Sequence, residues 1–491
     1  MLILLTILLY FLLLTLYSRF VTGRKSSNEA FFRGNRKSPW YMVAFGMVGA
    51  SISGITFVSV PGMVMKSGMS YLQTCIGFIF GYIAVAFILL PIYYKLNLTT
   101  IYTFLRDRVG QSGYKTGASF FLLSKMTGAA ARFYVVCILL NDYVIAPMCP
   151  SVDKAWLFPA IVIAMVALIW LYTKSGGIKT LVWTDTLQTV CMFTALLLII
   201  YNVITYLGMS IPEAAQAVWD SPQGLHTISF NLIDIISGMF IVIVMTGLDQ
   251  DMMQKNLTCR SLRDAQKDMC SYGVAFVPAN LLFLCLGVLL VLLTSKMGMA
   301  LPASGDDLLP MFAATGVLGM PVVVLFTIGI MAASFSSADS ALTALTTTYC
   351  VDIRERPDDE RLRHRVHILM AIVFALCILA FRAFNSTSLI DAIYIMCSYT
   401  YGPLLGLFAY ALTNRQQQSS TIGQAPSLRG RAGGEALICI ASPLLCYALD
   451  SISTNYFSYH FGYELLMING AITYLGLCLL RIANSKRSFS R

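Results

Sequence analysis

Long apolar runs separated by short polar, often basic, stretches dominate the chain. About 20 consecutive apolar residues carry a helix across a bilayer. Thirteen such runs lie near 1–19, 40–62, 71–94, 117–146, 156–173, 181–206, 228–248, 271–295, 311–348, 366–383, 388–412, 435–451 and 462–480. The run 311–348 is long for one span and predicts an added helix outside the membrane. Among the polar stretches, Ile211–Val218 predicts a short surface helix. The stretch Gln416–Glu435, rich in Gly, Ser and Gln, predicts a flexible loop.

Composition agrees with a polytopic all-α membrane protein. Counting glycine in and tyrosine out, about 59% of the 491 residues are apolar, against roughly 45–50% in a soluble domain. Only 12% are charged, which excludes disorder and an ordinary soluble enzyme. The net charge of +10 would suggest nucleic acid in a soluble protein. Here the basic residues sit where they set membrane orientation. With the N-terminus outside and the C-terminus in the cytoplasm, 28 of the 34 Lys and Arg fall in inner loops, and the outer loop 207–227 has none. The expectation is a multi-pass protein of a cell inner (plasma) membrane, with lipid and not nucleic acid as its large partner. Met1–Tyr17 is shaped like a signal peptide but lacks a basic start and a small-residue cleavage site, so it predicts an uncleaved first helix. The 13 cysteines are odd in number and mostly lie inside apolar runs, where cysteine behaves as a small hydrophobe. The four histidines, His226, His364, His367 and His460, lie near membrane edges and form no nucleophile–base or metal-ligand set, so no enzyme is expected.

A few polar positions interrupt the apolar mass. The second run, Met47 to Gly62, mixes small and hydroxyl residues with Pro61 and Gly62. Pro and Gly inside a span either free backbone carbonyls for an ion or substrate or serve close helix packing. The ninth run places Ser336, Ser337 and Ser340 around an acid, Asp339. Ser336 and Ser340 are four residues apart and share a helix face. Hydroxyl and carboxylate oxygens suit a hard cation, and an acid at this depth is costly enough to mark function. Asp185 sits about two turns into the sixth run, either at the surface or against a cavity beside Asp339. In the fourth run, Lys125 is able to snorkel toward the inner face and Asp142 toward the outer. Arg132 lies between them near mid-membrane, where it either pairs with a carboxylate or awaits an anionic substrate. Asp249, Gln250, Gln254 and Lys255 close the seventh run and predict a gate or a structural network at the inner mouth.

Taken in order and spacing, these segments resemble the sodium:solute symporter family, which includes the sodium-coupled sugar, proline and sialic-acid transporters. The resemblance also rests on Asn28-Glu-Ala-Phe-Phe-Arg-Gly, on Leu98 to Arg108 and on Val351-Asp-Ile353, and covers nearly the whole chain. It implies a LeuT-like fold of two inverted five-helix repeats and about 13 transmembrane helices. Residues 1–39 would form a peripheral helix and inner loop, 40–206 the first repeat and 207–412 the second. Residues 413–434 would be the cytoplasmic loop, and 435–491 two peripheral helices and a tail. The first helix of each repeat would be broken. Those are 40–62 and 228–248, and both carry Ile-Ser-Gly, at Ile52–Gly54 and Ile236–Gly238.

The resemblance also implies sites. A sodium ion would bind the backbone carbonyls of Gly49, Ile52 and Ala333 and the hydroxyls of Ser336 and Ser337. A second cation would use Asp185, Ser336, Asp339 and Ser340. Asp339 departs from the family pattern, where Ser or Thr is commoner, and a second carboxylate there takes either a cation or a proton. Ser51, Ser53, Thr56, Gln73 and Arg132 match the positions that hold the carboxylated sugar in the sialic-acid branch. The expected function is Na⁺-coupled symport of a small polar organic solute, with a carboxylated sugar or other organic anion favoured, by a monomeric unit through alternating access. A Na⁺- or H⁺-coupled carrier of a neutral sugar or amino acid is the alternative within transport, and a non-transporting membrane sensor lies outside it.

Overall fold

The computed structural model describes residues 2–22, 27–146, 154–384, 389–414, 434–459 and 461–489. A helix stands at each of the thirteen apolar runs. They begin with α1 (Leu2–Thr22), a short α2 (Asn28–Arg33), and a pair, α3 (Trp40–Ser51) and α4 (Gly54–Ser67). Next come α5 (Tyr71–Lys95), short α6 (Thr103–Arg108), α7 (Gln111–Asp142), α8 (Trp156–Lys174) and α9 (Gly176–Leu207). Helices α8 and α9 meet at Gly177, whose φ of 49° breaks the axis. Beyond them lie α10 (Ile211–Asp220), α11 (Leu232–Gly247), short α12 (Gln250–Asn256), α13 (Leu262–Lys296), short α14 (Leu308–Ala313) and α15 (Met320–Ile353). The chain continues through α16 (Glu360–Phe384), α17 (Leu389–Thr413), α18 (Gly434–Phe457) and α19 (Leu465–Phe489). Among the described residues nine helices are long and apolar enough to cross a membrane, or up to eleven if each bent pair is one span. The only extended pairing there is a bridge between Ser38 and Cys259. The long run 311–348 resolves into α14 and α15, as its length predicted. The loop expected at Gln416–Glu435 falls almost wholly outside the described residues.

Five elements (α3/α4, α5, α7, α8, α9) and then five more (α11/α12, α13, α15, α16, α17) give the five-plus-five order, with α1, α18 and α19 beside it. The first element of each set is broken, but not where the residue types pointed. The chain bends by 62° between α3 and α4, at Ile52 and Ser53, nine residues before Pro61. Pro61 and Gly62 stay helical and serve packing: a Cβ on Gly62 would lie 2.0 Å from the Gly305 carbonyl oxygen. In the second set the interruption comes at Leu248 and Asp249, not at Ile236–Gly238. Gly238 stays helical because α5 crosses there at backbone distance, and a Cβ would meet the Thr74 carbonyl oxygen at 2.2 Å. The echoed tripeptide thus marks a break in one helix and a contact in the other.

Local signals place the remaining ends. Helix α10 starts in a capping box, with Ser210 accepting from the Glu213 amide and Glu213 accepting from the Ser210 amide. The segment Ile211–Thr227 meets α11 at 90°, which suits the expected surface helix. Asp249 caps α12 by accepting from the Asp251 amide at 2.8 Å.

At the end of the molecule where the basic loops gather, polar groups interlock five segments. Arg33 Nε donates to Thr99 Oγ1 at 2.8 Å. Gln250 donates to the Thr99 carbonyl, and its own Oε1 accepts from the Ile101 amide at 2.9 Å. Gln254 Nε2 donates to the Phe32 carbonyl at 2.8 Å and to Thr347 at 3.0 Å. Asp352 accepts from Thr100 and from the Tyr114 hydroxyl. The network expected at 249–255 is therefore present and extends to α2, the 97–103 loop and the end of α15.

Candidate functional site

A cavity of about 120 Å³ lies where the α3/α4 break faces α7, α11/α12, α13 and α17. That is roughly ten times the space one water needs. Its wall carries Ser51, Ser53, Thr56, Arg132 and Ser337, together with Lys125, Asp249 and Asp251. Ser51 hydrogen-bonds Tyr272, and Ser53 lies 3.5 Å from Thr56 Oγ1.

The charges on this wall are unequally matched. Lys125 is buried and does not snorkel; its Nζ lies 3.1 Å from Asp249 Oδ2 and 2.7 Å from Asp251 Oδ2. Tyr401 also donates to Asp249 Oδ2, at 2.7 Å. Two acids therefore hold one lysine, and Asp251 Oδ1 keeps no hydrogen-bond partner among the described residues. Arg132, two turns along the same helix face, has no carboxylate within ion-pair distance among those residues. Gln73 is not on the wall. Its amide donates to the Ser229 carbonyl at 2.9 Å and its oxygen accepts from the Asn231 amide at 2.7 Å, so it anchors the approach to α11.

Beside the cavity, α15 packs against the break. Ser337 donates to the Ala50 carbonyl at 2.9 Å. The helical ladder stops at the Ile52 amide, which bonds Val48. Carbonyls at a helix end have no amide four residues on to accept from, and Gly49 and Ile52 belong to this end. Ser336 donates in the other direction, to Asp185 Oδ1 at 2.7 Å. A hydroxyl has one hydrogen and two lone pairs. These hydrogens go to Asp185 and to the Ala50 carbonyl, with the Ala333 carbonyl 3.2 Å from Ser337 Oγ as a further acceptor, so the lone pairs of Ser336 and Ser337 remain as oxygen donors of the kind that hold a cation. The donor set is all oxygen, as a hard cation requires.

Asp185 and Asp339 are fully buried and lie in one cluster with Ser336 and Ser340. Asp339 accepts from the Tyr172 hydroxyl at 2.8 Å and from Ser340 at 3.3 Å. Inside this cluster stands Lys255 Nζ, 2.8 Å from Asp185 Oδ2, with both side chains at most 2% exposed. The sequence placed Lys255 at a mouth; its reach from α12 into the Asp185 cluster has no local signal, because the two residues are 70 positions apart.

A discontinuous helix at the junction of two repeats, with hydroxyls, open carbonyls and an unpaired cationic side chain around a cavity, is the architecture of a secondary transporter. The model of the sodium:solute symporter family matches residues 31–419, and the chain belongs to that family; it is a transporter and not an enzyme. The sodium/sialic acid symporter NanT of Aliivibrio fischeri is 23% identical over 426 residues, covering 81% of this chain and 80% of that protein. The human sodium/iodide cotransporter is 22% identical over 253 residues, and the match covers 50% of this chain but only 38% of that protein. A solved Na⁺-coupled sialic acid symporter, substrate-bound and outward-open, superposes with a TM-score of 0.76 at 19% identity, over 96% of this chain and 95% of that one. It shows the same fold.

Proposed function

We propose that this chain carries a small organic anion with Na⁺ by alternating access, and that the anion's carboxylate is held by Arg132. The observation that carries this reading is the unpaired guanidinium on the cavity wall. A cationic side chain inside a membrane span needs a counter-charge, and a planar guanidinium suits a carboxylate. The unpartnered Asp251 Oδ1 supports a substrate that also donates, through hydroxyl or amide groups, as a carboxylated sugar does. The named substrates of the two relatives, sialic acid and iodide, are both anions at neutral pH.

Sodium would bind the Gly49, Ile52 and Ala333 carbonyls and the Ser336 and Ser337 hydroxyls. It ties α15 to the break and so completes the neighbouring wall formed by Ser51, Ser53 and Thr56. The solute then binds, the outer side closes, and the polar interlock at the basic end releases both. The loop charge supports a cytoplasmic position for that end, and a cavity lined by one chain supports a monomeric unit. The test is uptake by proteoliposomes of sialic acids, monocarboxylates, proline and neutral sugars, each with sodium and with choline. Sodium-stimulated uptake of a carboxylate supports the reading. Uptake of only neutral solutes overturns the anion, and equal uptake in choline overturns the coupling ion.

A further inference from the structure

The Asp185 cluster holds a charge that the symport reading does not use. Asp185 accepts from Ser336, and Asp339 from Tyr172 and Ser340; with both taken as carboxylates the cluster carries two negative charges. Against these two negative charges stands the single ammonium of Lys255, on Asp185 Oδ2. Buried charges persist when they are matched. With Lys255 counted, the cluster lacks one positive charge, which a single sodium at Ser336 and Ser337 supplies. A second ion would leave the region positive and would have to displace an ammonium already in contact with Asp185.

We propose that Lys255 is a tethered resident cation that fills the second cation position, so the chain binds one sodium ion per molecule. The proposal rests on the sodium reading above. Lys255 also reaches the first site, because Asp185 accepts the Ser336 hydrogen and thereby turns the Ser336 oxygen toward the ion. A free ion would dissociate in each cycle. The ammonium cannot, and moves only as α12 shifts against α9.

The experiment is equilibrium binding of ²²Na⁺ to purified protein in lipid nanodiscs, counted per molecule. The wild type should bind one ion. Lys255→Met uncovers Asp185 and should bind one ion more than the wild type, with Na⁺ raising its Tm more steeply. Because a lone buried carboxylate threatens folding, the neutral double variant Asp185→Asn with Lys255→Met serves as a second arm, and it should keep the wild-type count. A wild type that binds two ions, an equal count in Lys255→Met, or loss of an ion in the double variant overturns the proposal. A wild type that binds none overturns the sodium reading instead; a gain of one in Lys255→Met would then still support Lys255 as the resident cation.

Discussion

Ser336 donates its hydroxyl hydrogen to Asp185 Oδ1 at 2.7 Å, while its neighbour Ser337 donates to the Ala50 carbonyl at 2.9 Å. Two adjacent hydroxyls on α15 thus donate to different helices, one to α9 and one to α3, and keep their oxygens as acceptors. Ser336→Ala removes one such oxygen and leaves Asp185 short of a donor. Sodium-stimulated uptake should fall to the choline level, and the sodium concentration for half-maximal thermal stabilisation should rise at least about tenfold, a difference of roughly 1.4 kcal/mol. Normal stimulation would remove Ser336 from the ion site.

Much of this region was legible in the sequence, and the reasons differ by residue. Ser336, Asp339 and Ser340 stood out because hydroxyls and an acid are conspicuous in an apolar span. Thirteen runs gave thirteen helices because bilayer thickness fixes their length. The break at Ile52 and Ser53 falls on the Ile52–Gly54 tripeptide and not on Pro61 and Gly62, the stronger local signals, which are used for packing. Lys255 and Lys125 were misjudged for a common reason: each finds its acid on a distant helix, and only the fold joins them. Gln73 looked like a ligand because its residue type suits a solute as well as it suits the backbone at Ser229 and Asn231.

Gly49 tests the contact between the broken helix and α9. A Cβ there would lie 1.9 Å from Thr189 Oγ1 and 2.8 Å from Thr189 Cβ. Gly49→Ala must therefore push α3 from α9, at about 1–3 kcal/mol for overpacking. A lower Tm and lower folded yield are expected. Thr189→Ala removes the hydroxyl and methyl but keeps the Cβ, so it should restore part of the loss in the double variant, which a double-mutant cycle would read as coupling. Additive losses would place the clash elsewhere.

Arg132→Ala should weaken an anionic ligand by roughly 10- to 100-fold, in line with about 1.5–3 kcal/mol for a hydrogen bond to a charged group. Arg132→Lys keeps the charge and loses the two-pronged geometry, so it should fall between. Ligand-induced thermal shift measures both. An unchanged shift with Arg132→Ala for a carboxylate ligand would detach the anion from this residue.

Ion number has an electrical consequence. One sodium with one monovalent anion moves no net charge. Two would move one positive charge, adding about 2.3 kcal/mol per 100 mV, roughly 50-fold in accumulation. Uptake of a monocarboxylate into proteoliposomes should therefore respond to the sodium gradient but not to an imposed potassium-diffusion potential. A steep response to potential would contradict a single coupling ion.

The interlock at the basic end should control which side is open. Gln254 is buried and ties α12 to the Phe32 carbonyl of α2 and to Thr347 on α15. Both bonds must part if these elements separate. At about 1 kcal/mol each, their loss in Gln254→Leu shifts the balance toward the state open at this end by roughly 30-fold. Amide hydrogen exchange should quicken in residues 97–103 and 250–256, while the α5 and α13 segments that cross mid-membrane stay protected. Saturating sodium should reverse the change, because the ion binds α15 to the break and favours the closed interlock. Uniformly faster exchange would signal a merely destabilised protein, and unchanged exchange would show that Gln254 does not restrain the opening.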